Sequence, residues 1–402
     1  MAAPLPALLA WAQAAGWLHQ NLIQAQSETS RTLVAAQPLP VQTNQAGTVL
    51  GRLPTCAACE VGQVGSPHTR LALFLLQRQD QWRPYFHILP RDFSRFPLFD
   101  FQSAEAGLQG SPTLVKLKEC QAAIQQEWTD VCRRDPATQL SLQAFQEARQ
   151  LVASRSFSVR VGGLSQPCLA PLVDMLNHSL SPNVAWKQLG VQIELYCLRD
   201  IAALEELTCS YGPKSNSALL INYGFVLPNN PYEEYSLTLT LPVSAKGHEV
   251  KKGMLGSRHF RVYPIPLTLK PASFEPVLGF ARFVQLRDMG KLPLIYAQAQ
   301  DPDLGGFDPA RVPAISLLNE LDSLKFLQEQ ASQGLLDPEQ RTEGLLGDCQ
   351  TVVQGEQKAL KGLLRFLETA LRLLVTAEPP SSLEPSWQAY FSLLTRFAAN
   401  GV

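Results

Sequence analysis

The sequence predicts an α+β protein, because strand-like and helix-like segments occupy different parts of the chain. Between residues 156 and 241, short apolar runs alternate with turn residues, which is typical of short strands. Residues 111–152, 315–335 and 352–375 instead place apolar side chains at steps of three and four. That spacing forms one face of a helix, so we expect strands in the middle of the chain and helices around them.

Composition limits the function classes. The chain has 402 residues, enough for two domains, with 46% hydrophobic residues and a net charge of −1. Neither direct nucleic-acid binding nor an anionic membrane surface is therefore predicted. The first basic residue is Arg31, so the N-terminus resembles neither an export signal nor an Arg-rich transit peptide. We expect a soluble intracellular protein, cytoplasmic or nuclear.

In chain order, residues 5–18 suit a helix packed on a core, and 33–36 and 48–50 suit short strands. A helix is predicted from residue 71 to 76, and irregular structure from 85 to 99. In residues 191–198 the alternation predicts a strand with one apolar face, which is formed by Val191, Ile193, Leu195 and Cys197. The first late helix is predicted to bury a stripe, which is formed by Leu317, Leu318, Leu321 and Leu324.

These patterns predict two domains. The first covers residues 1–242 and holds a helical insert at about 70–152; the second covers 243–402 and is helical. The boundary is placed between Leu241 and Pro264, where strand-like patterning gives way to helices and the sequence is rich in Gly and Lys.

The eight cysteines are scattered through the chain, unlike the disulfide framework of a small secreted protein. Cys56 and Cys59 form a lone CxxC. A structural zinc site needs about four ligands, and no second pair accompanies this one. No metal site is predicted.

The most informative stretch runs from Cys168 to Phe225. Asn177 and His178 close an apolar run, where polar side chains must find partners. Tyr211 follows a strand and precedes Gly212-Pro213, and Tyr223 ends a short helix where Gly224 can act as a left-handed cap. Any one of these features is common in structural cores, but their combination within fifty residues indicates a functional site.

The order Asn177-His178-Ser179, a strand, Glu205-Glu206-Leu207, Ser210-Tyr211-Gly212-Pro213 and Tyr223-Gly224-Phe225 resembles the catalytic half of the SET-domain methyltransferases. The branch it resembles most is the RuBisCO large-subunit methyltransferases. Ser154-Arg155-Ser156-Phe157 extends the likeness upstream, and Leu318-Asn319-Glu320-Leu321 and Gly355-Glu356-Gln357-Lys358 extend it downstream. The resemblance implies a SET-domain β-fold with a helical insert, followed by an all-α substrate-binding domain.

The resemblance also implies roles for individual residues. S-adenosylmethionine would be held by Arg155, Asp174, Asn177, His178 and Tyr211. Tyr211 would also be the catalytic tyrosine, while Tyr223 and Phe157 would contact the substrate. The implied activity is N-methylation of a lysine on a protein substrate, and a plastid location would be compatible with the family although no transit peptide is seen.

Two alternatives stay open. Family members usually carry Gly-x-Gly near the N-terminus, and the aligned residues here are Ser30-Arg31-Thr32, which favours a catalytically inactive partner-binding scaffold. Related histidine methyltransferases carry an Asn two residues after the pocket Arg and lack the Tyr of Tyr-Gly-Phe. This chain has Phe157 and Tyr223 at those places, which favours lysine over histidine.

Overall fold

The computed structural model describes residues 4–18, 23–25, 32–39, 49–57, 65–77, 82–256, 259–301, 306–336, 344–376 and 385–400. Within them the helices are α1 (Pro4–Ala14), α2 (Pro67–Gln77), α3 (Arg83–Ile88), α4 (Phe101–Gly107), α5 (Pro112–Arg134), α6 (Leu142–Arg155), α7 (Asn216–Tyr223), α8 (His248–Leu255), α9 (Pro271–Val284), α10 (Leu292–Gln298), α11 (Leu317–Ser332), α12 (Gly344–Thr376) and α13 (Gln388–Asn400).

The strands are short. They are β1 (Ile23–Ala25), β2 (Leu33–Ala35), β3 (Val49–Pro54), β4 (Cys56–Ala57), β5 (Ser156–Val161), β6 (Leu164–Leu169), β7 (Asn177–His178), β8 (Val184–Leu189), β9 (Gln192–Cys197), β10 (Thr208–Cys209), β11 (Glu234–Thr240), β12 (Phe260–Pro266), β13 (Gln300–Asp301) and β14 (Gly306–Phe307). Strands β5–β10 follow one another in the middle of the chain, whereas β1–β4 lie between α1 and α2, and β11–β14 are interspersed with helices. The fold class is α+β, as the sequence predicts.

The chain divides into two compact units. Unit 1 comprises residues 1–99, 118–213 and 221–224, and unit 2 comprises 100–117, 214–220 and 225–402. In unit 1, two antiparallel sheets have the strand orders β3-β9-β8 and β4-β6-β5, and β7 pairs with β10 in parallel. Their inner faces and helices α1, α2 and α6 share one apolar core, so short strands are stabilised by packing rather than by length.

Two local predictions in unit 1 are wrong. Residues 85–88, expected to be irregular, lie in α3 (Arg83–Ile88), because Pro84 suits the first turn of a helix and Tyr85 and Ile88 are fully buried. Val191, assigned to the buried face of its strand, is 63% exposed, because it lies in the turn before β9 begins. Ile193, Leu195 and Cys197 are buried as predicted.

Unit 2 is mainly helical, and its described residues also form two antiparallel two-stranded sheets, β11–β12 and β13–β14. Helices α9, α11, α12 and α13 contribute most of its core, and Phe274, Phe280 and Phe283 of α9 are completely buried in it. The predicted apolar stripe of α11 is wrong at Leu318, which is 70% exposed because it lies on the opposite side of the helix from buried Leu324.

A buried ion pair joins three helices of unit 2. Arg282 of α9 makes two parallel bonds of 2.8 Å to the carboxylate of Glu320 on α11. The hydroxyl of Tyr390 on α13 donates to the same carboxylate at 2.9 Å, and the amide of Asn319 donates to the Arg282 carbonyl. Both charged side chains are at most 3% exposed, so each depends on the other for compensation.

No helix among the described residues is both long and apolar enough to cross a bilayer. Cys59 of the lone CxxC lies outside the described residues. Within the described ranges, no three His, Cys, Asp or Glu side chains are grouped as a metal site requires.

We expect Arg282→Met to lower the free energy of unfolding of unit 2 by about 3–5 kcal/mol, because Glu320 would remain as a buried, unpaired charge. Arg133→Met is the matched control, since Arg133 makes only an exposed pair with Asp130 and should change stability by less than about 1 kcal/mol. Urea unfolding followed by circular dichroism measures both. Equal effects of the two substitutions would show that the pair does not stabilise the helices.

Candidate active site

Asn177 and His178 form β7, a two-residue strand that pairs in parallel with β10. Asn177 lies opposite Thr208, and His178 lies opposite Cys209. The Asn177 side chain is exposed, and its Nδ2 donates to a carboxylate oxygen of Glu206 at 2.7 Å. That bond fixes the amide orientation and leaves the Oδ1 atom as an acceptor for a ligand.

Tyr211 follows β10 by two residues and folds back on β7. Its hydroxyl donates to the Leu176 carbonyl at 2.8 Å, and its backbone N–H donates to Nδ1 of His178 at 3.1 Å. A ring nitrogen that accepts carries no proton, so this bond selects the His178 tautomer. Burial raises the pKa of the Tyr211 phenol, and the neighbouring Cys209 thiol raises it further. The hydroxyl is therefore protonated at neutral pH.

Tyr223 lies beside Tyr211. The Tyr211 and Tyr223 rings are stacked, with centroids 4.8 Å apart at an interplanar angle of 30°. The His178 ring lies tilted by 32° against the Tyr211 ring, with centroids 5.1 Å apart. Gly224, which follows Tyr223, has φ of +73°, so it caps α7 in the left-handed conformation that the sequence predicts. Three rings from separate parts of the sequence thus form one aromatic stack.

Arg155 and Asp174 form a buried pair. Nη1 of Arg155 donates to the backbone oxygen of Asp174 at 3.0 Å and to its Oδ2 at 3.2 Å. Burial raises the pKa of the Asp174 carboxyl, while Arg155 and the hydroxyl of Tyr85, which donates at 2.8 Å, oppose that rise. Asp174 Oδ1 and Arg155 Nε are buried and have no hydrogen-bond partner among the described residues.

Phe157 lies two residues after Arg155, on β5. It is half-buried and packs edge-on against Trp186, with ring centroids 5.4 Å apart. Of the segment aligned with Gly-x-Gly, Ser30 and Arg31 lie outside the described residues, and Thr32 immediately precedes β2.

Asn183 is a supporting residue that sequence reasoning missed. It is 1% exposed, and its Nδ2 donates to the Glu206 carbonyl at 2.8 Å and to the Glu205 carboxylate at 3.1 Å. Its Oδ1 accepts from the backbone of Thr208 at 2.8 Å. Asn183 therefore fixes the chain that leads into β10. The available signal was a polar residue directly before the apolar strand β8.

Tyr85 was also missed. Its hydrogen bond to Asp174 joins residues 89 positions apart, and no local sequence pattern predicts a contact over that separation. Its helix was itself predicted to be irregular, so the side chain had no expected direction.

Glu205 stabilises the loop before β10. Arg199 donates to its carboxylate at 2.5 Å, and the backbone of Ala202 donates at 3.0 Å. These bonds, led by that from Arg199, lower the pKa of the Glu205 carboxyl to about 2.

Comparisons with known proteins show what this chain is similar to. Residues 31–212 match the family model of the SET domain. The chain is 27% identical over 189 residues to the ribosomal lysine N-methyltransferase set10 of Schizosaccharomyces pombe, covering 44% of this chain and 34% of that protein. It is 30% identical over 221 residues to the chloroplastic ribulose-1,5 bisphosphate carboxylase/oxygenase large subunit N-methyltransferase of Pisum sativum, covering 47% and 43%. The matches span less than half of these relatives' own lengths.

A solved structure extends the fold similarity to nearly the whole chain. The structure of Rubisco LSMT bound to AdoMet superposes with a TM-score of 0.73 over 98% of this chain and 100% of the other, at 18% identity. The fold, including the helical C-terminal region, is therefore that of the Rubisco LSMT structures.

We expect Glu205→Gln to flatten the dependence of stability on pH between about 4.5 and 2. The Glu205 pKa is lower in the folded state than in the unfolded state, so its contribution is present above pH 4.5 and lost as the pH falls towards 2. Melting temperatures at stepped pH values measure this. Glu119→Gln, on the exposed face of α5, should keep the wild-type slope, and a wild-type slope in Glu205→Gln as well would contradict the assignment.

Proposed function

We propose that the chain is a SET-domain protein and an S-adenosylmethionine-dependent protein-lysine N-methyltransferase. The observation that carries the proposal is the Tyr211 cluster: a buried, protonated tyrosine held by the Leu176 carbonyl and stacked on Tyr223, beside Asn177 and His178. The names of the relatives, several of them lysine N-methyltransferases, support the same activity.

The residues fit the cofactor. A buried donor, Arg155 Nε, and a buried acceptor, Asp174 Oδ1, lack partners among the described residues, and such groups cost free energy unless a ligand or water satisfies them. Asn177 adds an exposed amide. S-adenosylmethionine has amino, carboxylate and hydroxyl groups that pair with donors and acceptors of both kinds. When bound, it supplies an electrophilic methyl group on a positively charged sulfur.

Tyr211 acts as an orienting group in this proposal. Its raised pKa keeps the phenol protonated at neutral pH, so it does not accept the amine proton as a base. Its O–H donates to the Leu176 carbonyl, and in this proposal the target amine donates a hydrogen bond to the same phenol oxygen. Alignment of the reacting atoms is the main requirement of an in-line displacement.

The target lysine must be neutral to attack. Its ordinary pKa is near 10.4, so deprotonation at pH 7 costs roughly 4–5 kcal/mol. The stacked rings of Tyr211 and Tyr223 form an apolar wall, and burial against it lowers the pKa of an amine. Aromatic faces also attract the methylated ammonium product.

A lysine-bearing protein is the partner that this chemistry needs. The curated relatives are named for ribosomal and enzyme substrates, which supports a protein target rather than a free amino acid. An intracellular site of action stays a prediction from the sequence.

The first test is calorimetric titration of the full chain with S-adenosylmethionine, followed by incubation of the protein and radiolabelled cofactor with cell extract. Saturable one-to-one binding and labelled methyl-lysine in hydrolysed product protein are expected. Labelled methyl-histidine in the product protein would show that the target residue is histidine and not lysine. A folded protein that transfers no methyl group would overturn the proposal in favour of a partner-binding scaffold.

We expect Tyr211→Phe to lower kcat by roughly 100-fold or more, because the ring stack survives while the oriented oxygen is lost. Affinity for the cofactor should change little. Steady-state kinetics and calorimetry measure the two quantities separately. Tyr232→Phe is the control, since Tyr232 is 46% exposed. An unchanged kcat in Tyr211→Phe would remove Tyr211 from the mechanism.

We expect Asn177→Ala to weaken cofactor binding by about tenfold, the size of one lost hydrogen bond to a charged or polar group. Gln126→Ala, which removes an exposed amide of α5, should leave affinity unchanged. Calorimetric titration of both variants with S-adenosylmethionine measures the two affinities. Equal affinities would exclude Asn177 from the cofactor site.

A further inference from the structure

Gln150 lies inside α6 and is 4% exposed. Its Nε2 donates to two backbone carbonyls, those of Ile221 at 3.1 Å and Asn222 at 3.0 Å. Both carbonyls belong to the last turn of α7, directly before Tyr223. Because this buried amide makes two hydrogen bonds to one helix end, its contact with α7 is a specific polar interaction and not only apolar packing.

The last four carbonyls of a helix lack partners within the helix. In α7 the two carbonyls that Gln150 binds are of this kind, so the amide replaces water there and fixes the end of the helix. Gly224 follows with φ of +73°, and a Cβ on it would lie 3.2 Å from the ring of Phe96. The backbone around Tyr223 is therefore held from two sides.

Tyr223 needs a fixed position because its ring stacks on Tyr211 with centroids 4.8 Å apart. The same helix that carries Gln150 ends at Arg155, whose guanidinium binds Asp174. Five residues of α-helix rise roughly 7.5 Å. One rigid helix thus holds the end of α7 through Gln150 and the Arg155–Asp174 pair through its last residue.

We propose that Gln150 is a positioning residue of the methyl-transfer site: it fixes the last turn of α7, and through it places the Tyr223 ring against Tyr211 for the incoming amine. This inference rests on the proposed function. Gln150 itself touches neither substrate nor cofactor in this role, so its effect falls on turnover and leaves the Arg155–Asp174 pair unchanged.

The main test is Gln150→Leu, which keeps most of the side-chain volume and removes both donors. We expect kcat to fall roughly 10- to 100-fold, the effect of a small misplacement of reacting groups, while the KM for S-adenosylmethionine stays within about twofold. Gln143→Leu is the matched control, because Gln143 lies on the exposed face of the same helix and bonds only to Glu147. It should match the wild type.

A second variant separates positioning from simple loss of packing. Gln150→Glu keeps the shape but offers a donor only while its carboxyl is protonated, and burial favours the neutral form. Its activity relative to wild type should therefore rise as the pH is lowered from about 8 to about 6. A ratio that is independent of pH would contradict a role for the donated hydrogen bonds.

Hydrogen–deuterium exchange of residues 221–224 gives a readout that needs no activity. Faster exchange in Gln150→Leu, together with lower kcat and an unchanged KM, supports the inference. Unchanged exchange overturns it whether or not the protein is active, and faster exchange with normal kcat also overturns it. If the wild type transfers no methyl group, the methyl-transfer role falls with the proposed function, while the exchange result still shows whether the clamp on α7 exists.

Discussion

The site depends on the parallel pairing of two very short strands, β7 and β10. Two residues on each side provide too few hydrogen bonds to hold a register alone, so the pairing is stabilised by its surroundings. Asn183 satisfies the Thr208 N–H and the Glu206 carbonyl, and Glu205 ties the preceding loop to Arg199. Because Tyr211 follows β10 directly, its hydroxyl reaches the Leu176 carbonyl only in this register. A shift of the β7–β10 register by one residue would turn the Tyr211 side chain away from His178 and break the contacts between the rings.

The burial of Cys209 in β10 and of Tyr211 after it determines the protonation states of their side chains. Tyr211 and the buried Cys209 thiol beside it both have raised pKa values, that of Cys209 about 12, because apolar surroundings disfavour their charged forms. The segment therefore presents neutral groups at physiological pH. That suits a reaction in which the nucleophile must lose its proton to solvent before entry and the enzyme supplies orientation. Among the described residues of the site, Arg155 and Asp174 carry opposite charges that pair with each other.

Local sequence signals singled out residues that stand beside turns or at the ends of apolar runs. Asn177, His178, Tyr211 and Tyr223 are such residues, and the structure brings the rings of the last three together, while their roles in the site stay predictions. Helices α5, α6, α11 and α12 were found because their apolar spacing is long and regular. Tyr85 and Gln150 were missed because their hydrogen-bond partners are distant in the sequence. Tyr85 bonds to a residue 89 positions away, and Gln150 bonds to residues 71 and 72 positions away. Leu318 and Val191 were misplaced because an apolar residue at the edge of a pattern carries no information about which side of the element it faces.

The resemblance aligns Ser30 and Thr32 with the two glycines of a Gly-x-Gly segment, which it implies lies near the cofactor. A glycine there removes a Cβ and permits backbone conformations that other residues rarely adopt. The resemblance also assigns Arg155, Asp174 and Asn177 to the cofactor. Among the described residues, Arg155 bonds to Asp174 and Asn177 bonds to Glu206. Loss of the glycines would therefore weaken binding by crowding rather than remove the polar groups that recognise the cofactor. Arg155 Nε and Asp174 Oδ1 are buried without a hydrogen-bond partner among the described residues, and each costs free energy until a ligand or water pairs with it. A partner-binding scaffold gains nothing from such groups, so together with the protonated, oriented Tyr211 they favour the proposed enzyme over the scaffold.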